Sequence, residues 1–148
     1  MNANVVLCAM ALLIAVLICG CTTAESQQTT AVADEIPDLV GNWSGTMAGY
    51  EYGEGYTDYA GYTMTLSITE QHDRIFSGEI TYTNESGSLV QEATPCAGAI
   101  GRDGTTLTMI EPGEGYSTGS LIGSDEMELI YANGNEPIEI AIDSLKRS

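Results

Sequence analysis

Tyrosine and acidic side chains are concentrated in one short stretch, GYEYGEGYTDYAGY, at residues 49–62. Tyrosine and glycine together make contact surfaces in which large, rigid rings sit on an adaptable backbone. Because loops carry binding residues more often than the elements they connect, we predict that five tyrosines contact a ligand or partner: Tyr50, Tyr52, Tyr56, Tyr59 and Tyr62. The alternative is that some of these rings only extend strands and cap a rim, with their hydroxyls in water.

A four-residue motif occurs twice, as Gly53-Glu54-Gly55-Tyr56 and as Gly113-Glu114-Gly115-Tyr116. If both copies lie at one end of the fold, their carboxylates could converge on a hard cation such as Ca²⁺, which takes about six to eight oxygen ligands. Neither EF-hand nor RTX-type spacing is present. The candidate calcium ligands are Glu51, Glu54, Asp58, Glu111 and Glu114.

Catalytic residue types are scarce. The only histidine, His72, lies in the polar stretch 70–74, and a single cysteine, Cys96, remains beyond residue 21. One histidine and one cysteine are too few for a transition-metal site or for a nucleophile with its base. Carboxylate pairs of the glycosidase type are the alternative, but no apolar pocket signal surrounds any pair. We therefore expect a non-enzymatic protein without a cofactor.

From Val40 onward, apolar residues recur at every second position, which is typical of antiparallel strands with one buried face. Asp103-Gly104 and Asn133-Gly134 are two-residue turn signals. The pattern predicts an all-β domain whose eight sequential strands close into an up-and-down barrel, with a two-sheet sandwich as the alternative. The predicted strands span residues 41–49, 61–70, 74–83, 90–100, 104–110, 116–122, 126–132 and 137–144.

The alternation also predicts which side chains face inward. In the last strand the apolar set is Ile138, Ile140 and Ile142. An eight-stranded barrel either fills its centre with side chains or leaves room for one small ligand. Small inward-facing residues would leave space for a ligand, although the same residues also suit the tight bends of barrel strands. These residues are Gly45, Gly49, Gly78, Gly98 and Gly119. A filled centre would consist of Met47, Met64, Leu66, Phe76, Ile80, Leu107, Met109, Met127 and Leu129.

The net charge is −17, from 21 acidic and 4 basic residues among 148. Nucleic acid is excluded as a partner, because its affinity comes from Lys and Arg neutralising phosphates. An anionic membrane surface would repel the domain. The length allows one domain.

An uncharged apolar run, Val5–Gly20, precedes Cys21. Its length suits a signal-peptide core better than a permanent span. The segment Ile18-Cys19-Gly20-Cys21 resembles the lipobox of prokaryotic lipoproteins, which implies cleavage before Cys21 and a lipid on its sulfur. An uncleaved N-terminal helix is the alternative. We expect a signal at 1–21, a flexible polar tether at 22–37 and the barrel at 38–148, exported and attached to the outer face of the cytoplasmic membrane.

Gly41-Asn42-Trp43 resembles the opening of the calycin superfamily, the lipocalin-like and avidin-like barrels. The resemblance implies that Trp43 closes one end of the barrel against Arg147, and that the connection after the first strand lies over an open mouth. The Gly-Asn-Trp-Ser-Gly opening and acidic strands also resemble small lipoproteins of methanogenic archaea, which implies a cell-surface location.

Two functions from different classes follow. The first is a surface interaction or envelope module that contacts its partner through the tyrosine-rich loop. The second is a lipocalin-like carrier of a small apolar or amphiphilic ligand, with that loop as a lid. An open interior would favour the carrier, and a filled interior the interaction module.

Overall fold

The computed structural model describes residues 35–113 and 115–148. The signal sequence, Cys21 and the tether as far as residue 34 lie outside the described residues. Nine strands follow one another: β1 (Gly41–Glu51), β2 (Gly55–Thr57), β3 (Tyr62–His72), β4 (Ile75–Asn84), β5 (Thr94–Ile100), β6 (Thr106–Ile110), β7 (Gly115–Leu121), β8 (Glu126–Asn133) and β9 (Glu139–Arg147).

Eight of these strands close into an antiparallel barrel. From β3 to β9 each strand pairs with the next along the chain, and β1 pairs with both β3 and β9. The closing seam runs from the pair Trp43 and Arg147 to the pair Glu51 and Glu139. The short β2 folds back on the end of β1 outside this circuit. The predicted up-and-down barrel is confirmed. None of the described residues belongs to a helix of the length and apolarity that crossing a bilayer needs.

Inward-facing side chains fill most of the barrel. All nine residues predicted to fill a closed centre are buried. Additional apolar residues complete the core, among them Leu39, Ile68, Ile100 and Leu145. Each such buried side chain stabilises the folded protein by about 1.5–3 kcal/mol. This burial offsets the absence of any disulfide in the described residues.

The predicted phase of the last strand is wrong. In β9 the inward residues are Ala141, Asp143 and Leu145, whereas Ile140 and Ile142 are about half exposed on the outer wall. Pairing with strands on both sides fixes this register: Asp143 lies opposite Met47 on β1 and opposite Leu129 on β8. Because side chains alternate along a strand, the same register that turns Leu145 inward turns the isoleucines outward.

Inward glycines allow strands to pass closely rather than leaving space for a ligand. A Cβ added at Gly45 would lie 1.8 Å from the carbonyl oxygen of Ser144, and one at Gly119 would lie 2.0 Å from that of Glu128. A Cβ added at Gly98 would overlap the ring of Phe76. Of the two explanations for these glycines, barrel bending is the one that the structure favours.

One end of the barrel is closed by the segment that precedes β1. Leu39 is buried, and its carbonyl accepts a hydrogen bond of 2.9 Å from the indole Nε1 of Trp43. Arg147 lies over the Trp43 ring, 4.2 Å from the centroid, and its guanidinium donates to the carbonyls of Val40 and Asp38. Trp43 and Arg147 are therefore in the contact that the calycin resemblance implies.

The turn signals mark hairpins but not their lengths. Asp103-Gly104 lies in a five-residue connection, residues 101–105, where the Asp103 carboxylate accepts hydrogen bonds from the backbone of Thr105 and Thr106. A hydrogen bond from the Thr106 hydroxyl, followed by these two backbone bonds, lowers the pKa of Asp103 to about 2. The connection after Asn133 also has five residues, because Gly134 does not close a tight turn.

Candidate functional site

The two ends of the barrel differ. The turns between β3 and β4, β5 and β6, and β7 and β8 lie at the closed end with the N-terminal segment. At the opposite end the interior opens into a cavity of about 490 Å³ that is accessible from solvent, which we call the cup. Its wall consists of Met47, Tyr59, Tyr62, Tyr82, Val90, Gln91, Glu111, Tyr131, Glu139, Ala141 and Asp143.

Asp143 is the most buried polar group of the cup. Only 4% of the residue is exposed. Its strand neighbours Met47 and Leu129 are apolar and buried, so its carboxylate lies where the packed core meets the cup. Among the described residues, no side chain or backbone group donates a hydrogen bond to it. Burial, and then the nearby charges of Glu111 and Glu139, raise the pKa of Asp143 to about 7.

Two more carboxylates line the wall. Glu111 directly follows β6, and burial raises its pKa. Glu139 begins β9 and accepts a hydrogen bond of 2.6 Å from the hydroxyl of Tyr59. Three carboxylates thus face one cavity, and none of the lining side chains is basic. The electrostatic potential inside the cup is therefore negative.

Tyrosine rings supply the rest of the wall. Tyr59 adopts a left-handed backbone conformation, with φ of 44°, which costs a non-glycine residue roughly 1–2 kcal/mol. Its amide donates to the hydroxyl of Thr57, and its own hydroxyl is held by Glu139. That bond, followed by burial, raises the pKa of Tyr59 to about 12. Burial also raises the pKa of Tyr82, so both phenols stay neutral.

The predicted tyrosine loop divides into two groups. Tyr59 and Tyr62 line the cup. Tyr50, Tyr52 and Tyr56 stay outside it; Tyr52 and Tyr56 are 77% and 73% exposed. The connection after β1 lies at the cup end, and within it only Tyr59 lines the cup.

The first copy of the repeated motif lies at the cup end between β1 and β3, and the described residues of the second copy, Gly113, Gly115 and Tyr116, lie at the same end where β7 begins. Of the calcium candidates in the described residues only Glu111 lines the cup, whereas Glu51 ends β1, and Glu54 and Asp58 belong to the connection between β1 and β3. Within residues 35–113 and 115–148, no three acidic, histidine or cysteine side chains are grouped closely enough to hold a metal ion. Glu114 lies outside the described residues, so the calcium site stays a prediction.

His72 and Cys96, the histidine and the cysteine among the described residues, lie apart from each other. His72 ends β3 at the closed end of the barrel, far from the cup. Cys96 is buried in β5, and burial raises the pKa of its thiol to about 11. A thiol with this pKa stays protonated near neutral pH and is a poor nucleophile.

The sequence analysis does not identify four of the residues that line the cup: Tyr82, Tyr131, Glu139 and Asp143. Tyr82 and Tyr131 lie two residues beyond Ile80 and Leu129, so they continue the inward alternation of β4 and β8, and that position is the available signal. Glu139 and Asp143 alternate with isoleucines that are more apolar than the residues actually turned inward. Hydrophobic alternation alone therefore assigned them to the wrong face.

No family model matches the sequence, and no curated protein is similar to it. Three solved structures of designed proteins are similar in fold. A de novo fluorescence-activating β-barrel has a TM-score of 0.46 at 10% identity, covering 74% of this chain and 94% of that one. A redesigned barrel, mFAP0, bound to DFHBI, has a TM-score of 0.46 at 14% identity, with 74% and 98% covered. EF1p2_mFAP2b bound to DFHBI has 0.43 at 12%, with 74% and 94% covered. Identities this low do not transfer a ligand to this chain.

Proposed function

We propose that this protein is an exported, membrane-attached binding protein whose barrel holds one small ligand in the cup. The observation that carries the proposal is the 490 Å³ cavity at one end of a barrel that is otherwise filled. Small-molecule sites are concave, about 300–1,000 Å³ in volume, and combine apolar or aromatic walls with a few polar groups. The cup has both.

The barrel is neither fully open nor fully filled, so the two expectations about its interior each hold for part of it. The half next to Trp43 is packed, and the half next to Glu139 is open. The open half is lined by phenol rings and carboxylates rather than by a continuous apolar wall. An amphiphilic ligand fits this lining better than a purely apolar one, because an apolar molecule would desolvate Asp143 without offering it a partner.

The experiment is to fill the cup and keep the barrel. Ala141 lines the cup and is 7% exposed, so Ala141→Phe would place a ring in the cavity. Ala97→Phe is the matched control, because Ala97 is exposed on the outer wall of β5. Saturation-transfer NMR would follow a panel of small aromatic and aliphatic amphiphiles added to the full chain in a non-ionic detergent.

We expect binding signals with the natural chain and with Ala97→Phe, and loss of those signals with Ala141→Phe. Thermal unfolding by circular dichroism would verify that both variants fold. Equal signals from all three proteins would place binding outside the cup and refute the proposal.

Membrane attachment is proposed on the sequence alone, since Cys21 lies outside the described residues. The lipobox-like segment and the preceding apolar run support it. Mass spectrometry of the membrane fraction would test it: the expected mature N-terminus is a lipid-modified Cys21. An intact Met1 terminus on the membrane protein would refute cleavage.

A second candidate function, a protein-interaction module, is favoured by a row of apolar side chains on the outer wall. The row crosses six strands through successive paired positions, and its members are Tyr56, Tyr50, Ile140, Ala132, Tyr116 and Ile110. Five of the six are more than half exposed. Contiguous exposed apolar surface marks interaction sites, and tyrosine is enriched at the centre of interfaces. A complementary protein surface would carry basic residues around an apolar centre.

Site-specific photo-crosslinking in intact cells would test this candidate. A photoreactive residue at position 50 should give one discrete protein adduct, whereas the same residue at position 46 should not. Thr46 is the control because it faces outward on the same strand but lies four residues closer to the closed end. Adducts of equal yield at both positions would contradict a specific interface.

A further inference from the structure

We infer that the cup selects a small organic cation, an ammonium or guanidinium group carried on an apolar body. The inference rests on the proposed function that the cup binds a ligand, and it adds the chemical class. Four observations carry it: a buried aspartate whose carboxylate faces the cavity and accepts no hydrogen bond from the described residues, aromatic walls, the size of the cavity, and the distribution of charge over the molecule.

The first observation is Asp143. Asp143 is 96% removed from solvent as a residue, and the charged group of so deeply placed a side chain is normally paired or hydrogen-bonded, because burying an isolated charge is costly. Here no described residue donates a hydrogen bond to it, and its carboxyl group faces the cavity. Glu111 and Glu139 add negative charge on the same wall and raise the cost further. A bound cation is the group that would supply the missing partner.

The second observation is the wall of phenol rings. Tyr59, Tyr62, Tyr82 and Tyr131 line the cavity together with the carboxylates. The face of an aromatic ring attracts a cation placed within about 6 Å of its centroid, and sites for organic ammonium ions combine such rings with acidic groups. The rings would also cover the apolar body of the same ligand.

The third observation is size. The cavity of about 490 Å³ is far larger than a bare metal ion, and no group of described side chains gathers enough donor atoms for one. Ca²⁺ would need about six to eight converging oxygens. An organic cation with several non-hydrogen atoms fills such a space, so an organic ligand fits the cup better than a metal ion does.

The fourth observation is the position of the basic residues. The sequence has four Lys and Arg residues and one His, and all of them belong to strand ends or turns at the closed end: His72, Arg74, Arg102, Lys146 and Arg147. No basic side chain therefore stands near the cup mouth to compete for its carboxylates. The cup end is uniformly acidic, which raises the local concentration of cations.

The test uses three probes that share one body and differ in charge: 2-phenylethylammonium, the neutral 2-phenylethanol, and the anion 3-phenylpropanoate. Isothermal titration with the full chain in a non-ionic detergent at about pH 8 would measure each affinity. We expect the ammonium probe to bind at least about tenfold more tightly than the alcohol, since a buried charge pair contributes strongly to affinity. The carboxylate probe should not bind.

Two variants locate the effect. Asp143→Asn should reduce the ammonium affinity to near that of the alcohol, so that the preference between these two probes is lost. Glu128→Gln is the control, because it removes one negative charge from an exposed position on the outer wall of β8. It should leave the preference intact.

The outcomes separate the inference from the proposed function. If the alcohol and the ammonium probe bind equally and Ala141→Phe abolishes both, the cup binds ligands but does not select cations, and the inference alone is wrong. If none of the three probes binds, the inference and the proposed function both fail. Equal loss of preference in Asp143→Asn and Glu128→Gln would show only an effect of net charge and would overturn the inference.

Discussion

At the scale of single residues, the site depends on Asp143 because its burial has a cost that other residues do not share. The carboxylate lies between apolar neighbours and faces two other acids, so its charged form is disfavoured in the folded protein. A group that lowers the stability of the free protein and lies in a cavity is more easily explained by binding than by packing. Stability and binding should therefore respond in opposite directions to its removal.

Asp143→Asn should stabilise the free protein at high pH. The pKa of Asp143 is raised from 3.8 to about 7 on folding, so the folded state holds a proton that the unfolded state releases. Stability is accordingly lost as pH rises from about 4 to about 7, and the loss is complete above 7. At about 1.4 kcal/mol for each pKa unit, the full effect is on the order of 4 kcal/mol. Asparagine does not ionise, so the variant does not lose this stability as pH rises.

Urea unfolding of both proteins at about pH 4 and about pH 8 would measure the difference. The two midpoints should coincide at the lower pH, and the variant should be the more stable at the higher pH. A constant difference at both values would mean that the substitution acts through packing rather than through charge.

Affinity for 2-phenylethylammonium should increase as pH rises from about 6 to about 8. Asp143, with a pKa of about 7, must release its proton to pair with a cation, and the probe itself stays charged over this range. The affinity of 2-phenylethanol should not change. Titration calorimetry in buffers of different ionisation enthalpy would detect the released proton. The other titratable groups facing the cup are Glu111, Glu139, Tyr59, Tyr62, Tyr82 and Tyr131.

Tyr59→Phe should loosen the mouth of the cup. The substitution removes the hydroxyl that donates to Glu139 at 2.6 Å, while the left-handed backbone at residue 59 keeps its conformational cost. We expect the free energy of unfolding to fall by about 1 kcal/mol. Hydrogen exchange should be faster at the Tyr62 amide, which donates a hydrogen bond to the Tyr59 carbonyl. Tyr56→Phe is the matched control, because Tyr56 is exposed and outside the cup. Equal exchange rates in both variants would show that the hydroxyl does not hold the loop.

At the scale of elements, β9 shows how a barrel can override hydrophobic alternation. Its isoleucines are more apolar than Ala141 and Asp143, yet they lie on the outer wall. Pairing with β1 and β8 at once leaves the strand no freedom to rotate or slip, because each one-residue shift would break two ladders. Leu145 and the contact of Arg147 with Trp43 fix the strand at the closed end.

Glycines at the strand crossings should be intolerant of even one methyl group. Gly45→Ala would place a Cβ 1.8 Å from the Ser144 carbonyl oxygen on β9, so the closing seam would have to separate. Overpacking of this kind costs about 1–3 kcal/mol. Gly134→Ala is the control, since a Cβ there would meet nothing within 4 Å. Urea midpoints should fall for the first variant and stay unchanged for the second; equal midpoints would contradict the close crossing.

At the scale of the whole molecule, charge is divided between the two ends of the barrel. The basic side chains gather where the N-terminal segment, Trp43 and Arg147 close the barrel, and the cup end carries acids alone. Lys146 and Arg147 also pair with Glu126 and Asp125 at that closed end. The net charge of −17 therefore acts most strongly at the mouth of the cup.

Salt should weaken binding of the ammonium probe and leave binding of the alcohol unchanged. Because the Debye length shortens from about 30 Å at 0.01 M to about 3 Å at 1 M, distant acids stop contributing at high salt. We expect the ammonium affinity to fall several-fold between about 0.02 M and about 0.5 M sodium chloride. A residual preference should persist, since Asp143 is screened little inside the cup. Complete loss of preference at high salt would argue for surface attraction instead of a site.

Most of the fold follows from local patterns in the sequence. Alternation along β1, β3, β4, β6 and β8 placed their inward faces correctly, because a strand with one strongly apolar face has one favourable orientation. Residue 55 begins a short extra strand that was missed, because three residues are too few to show a period. The loop tyrosines were identified as a group, but which of them turn inward depends on the backbone at Tyr59.

The sequence by itself determined an acidic, all-β barrel with one apolar face on its strands, a tyrosine-rich connection after the first strand and few residues capable of chemistry. Composition and period-two alternation are properties of neighbouring residues, so they can be identified without knowing what lies across the sheet. Tertiary structure alone decided that the barrel is filled at one end and open at the other, and that Asp143 faces the opening. Those facts depend on the register of β9 against two partners distant in sequence, and closure of the barrel fixes that register even where local hydrophobicity favours the opposite face.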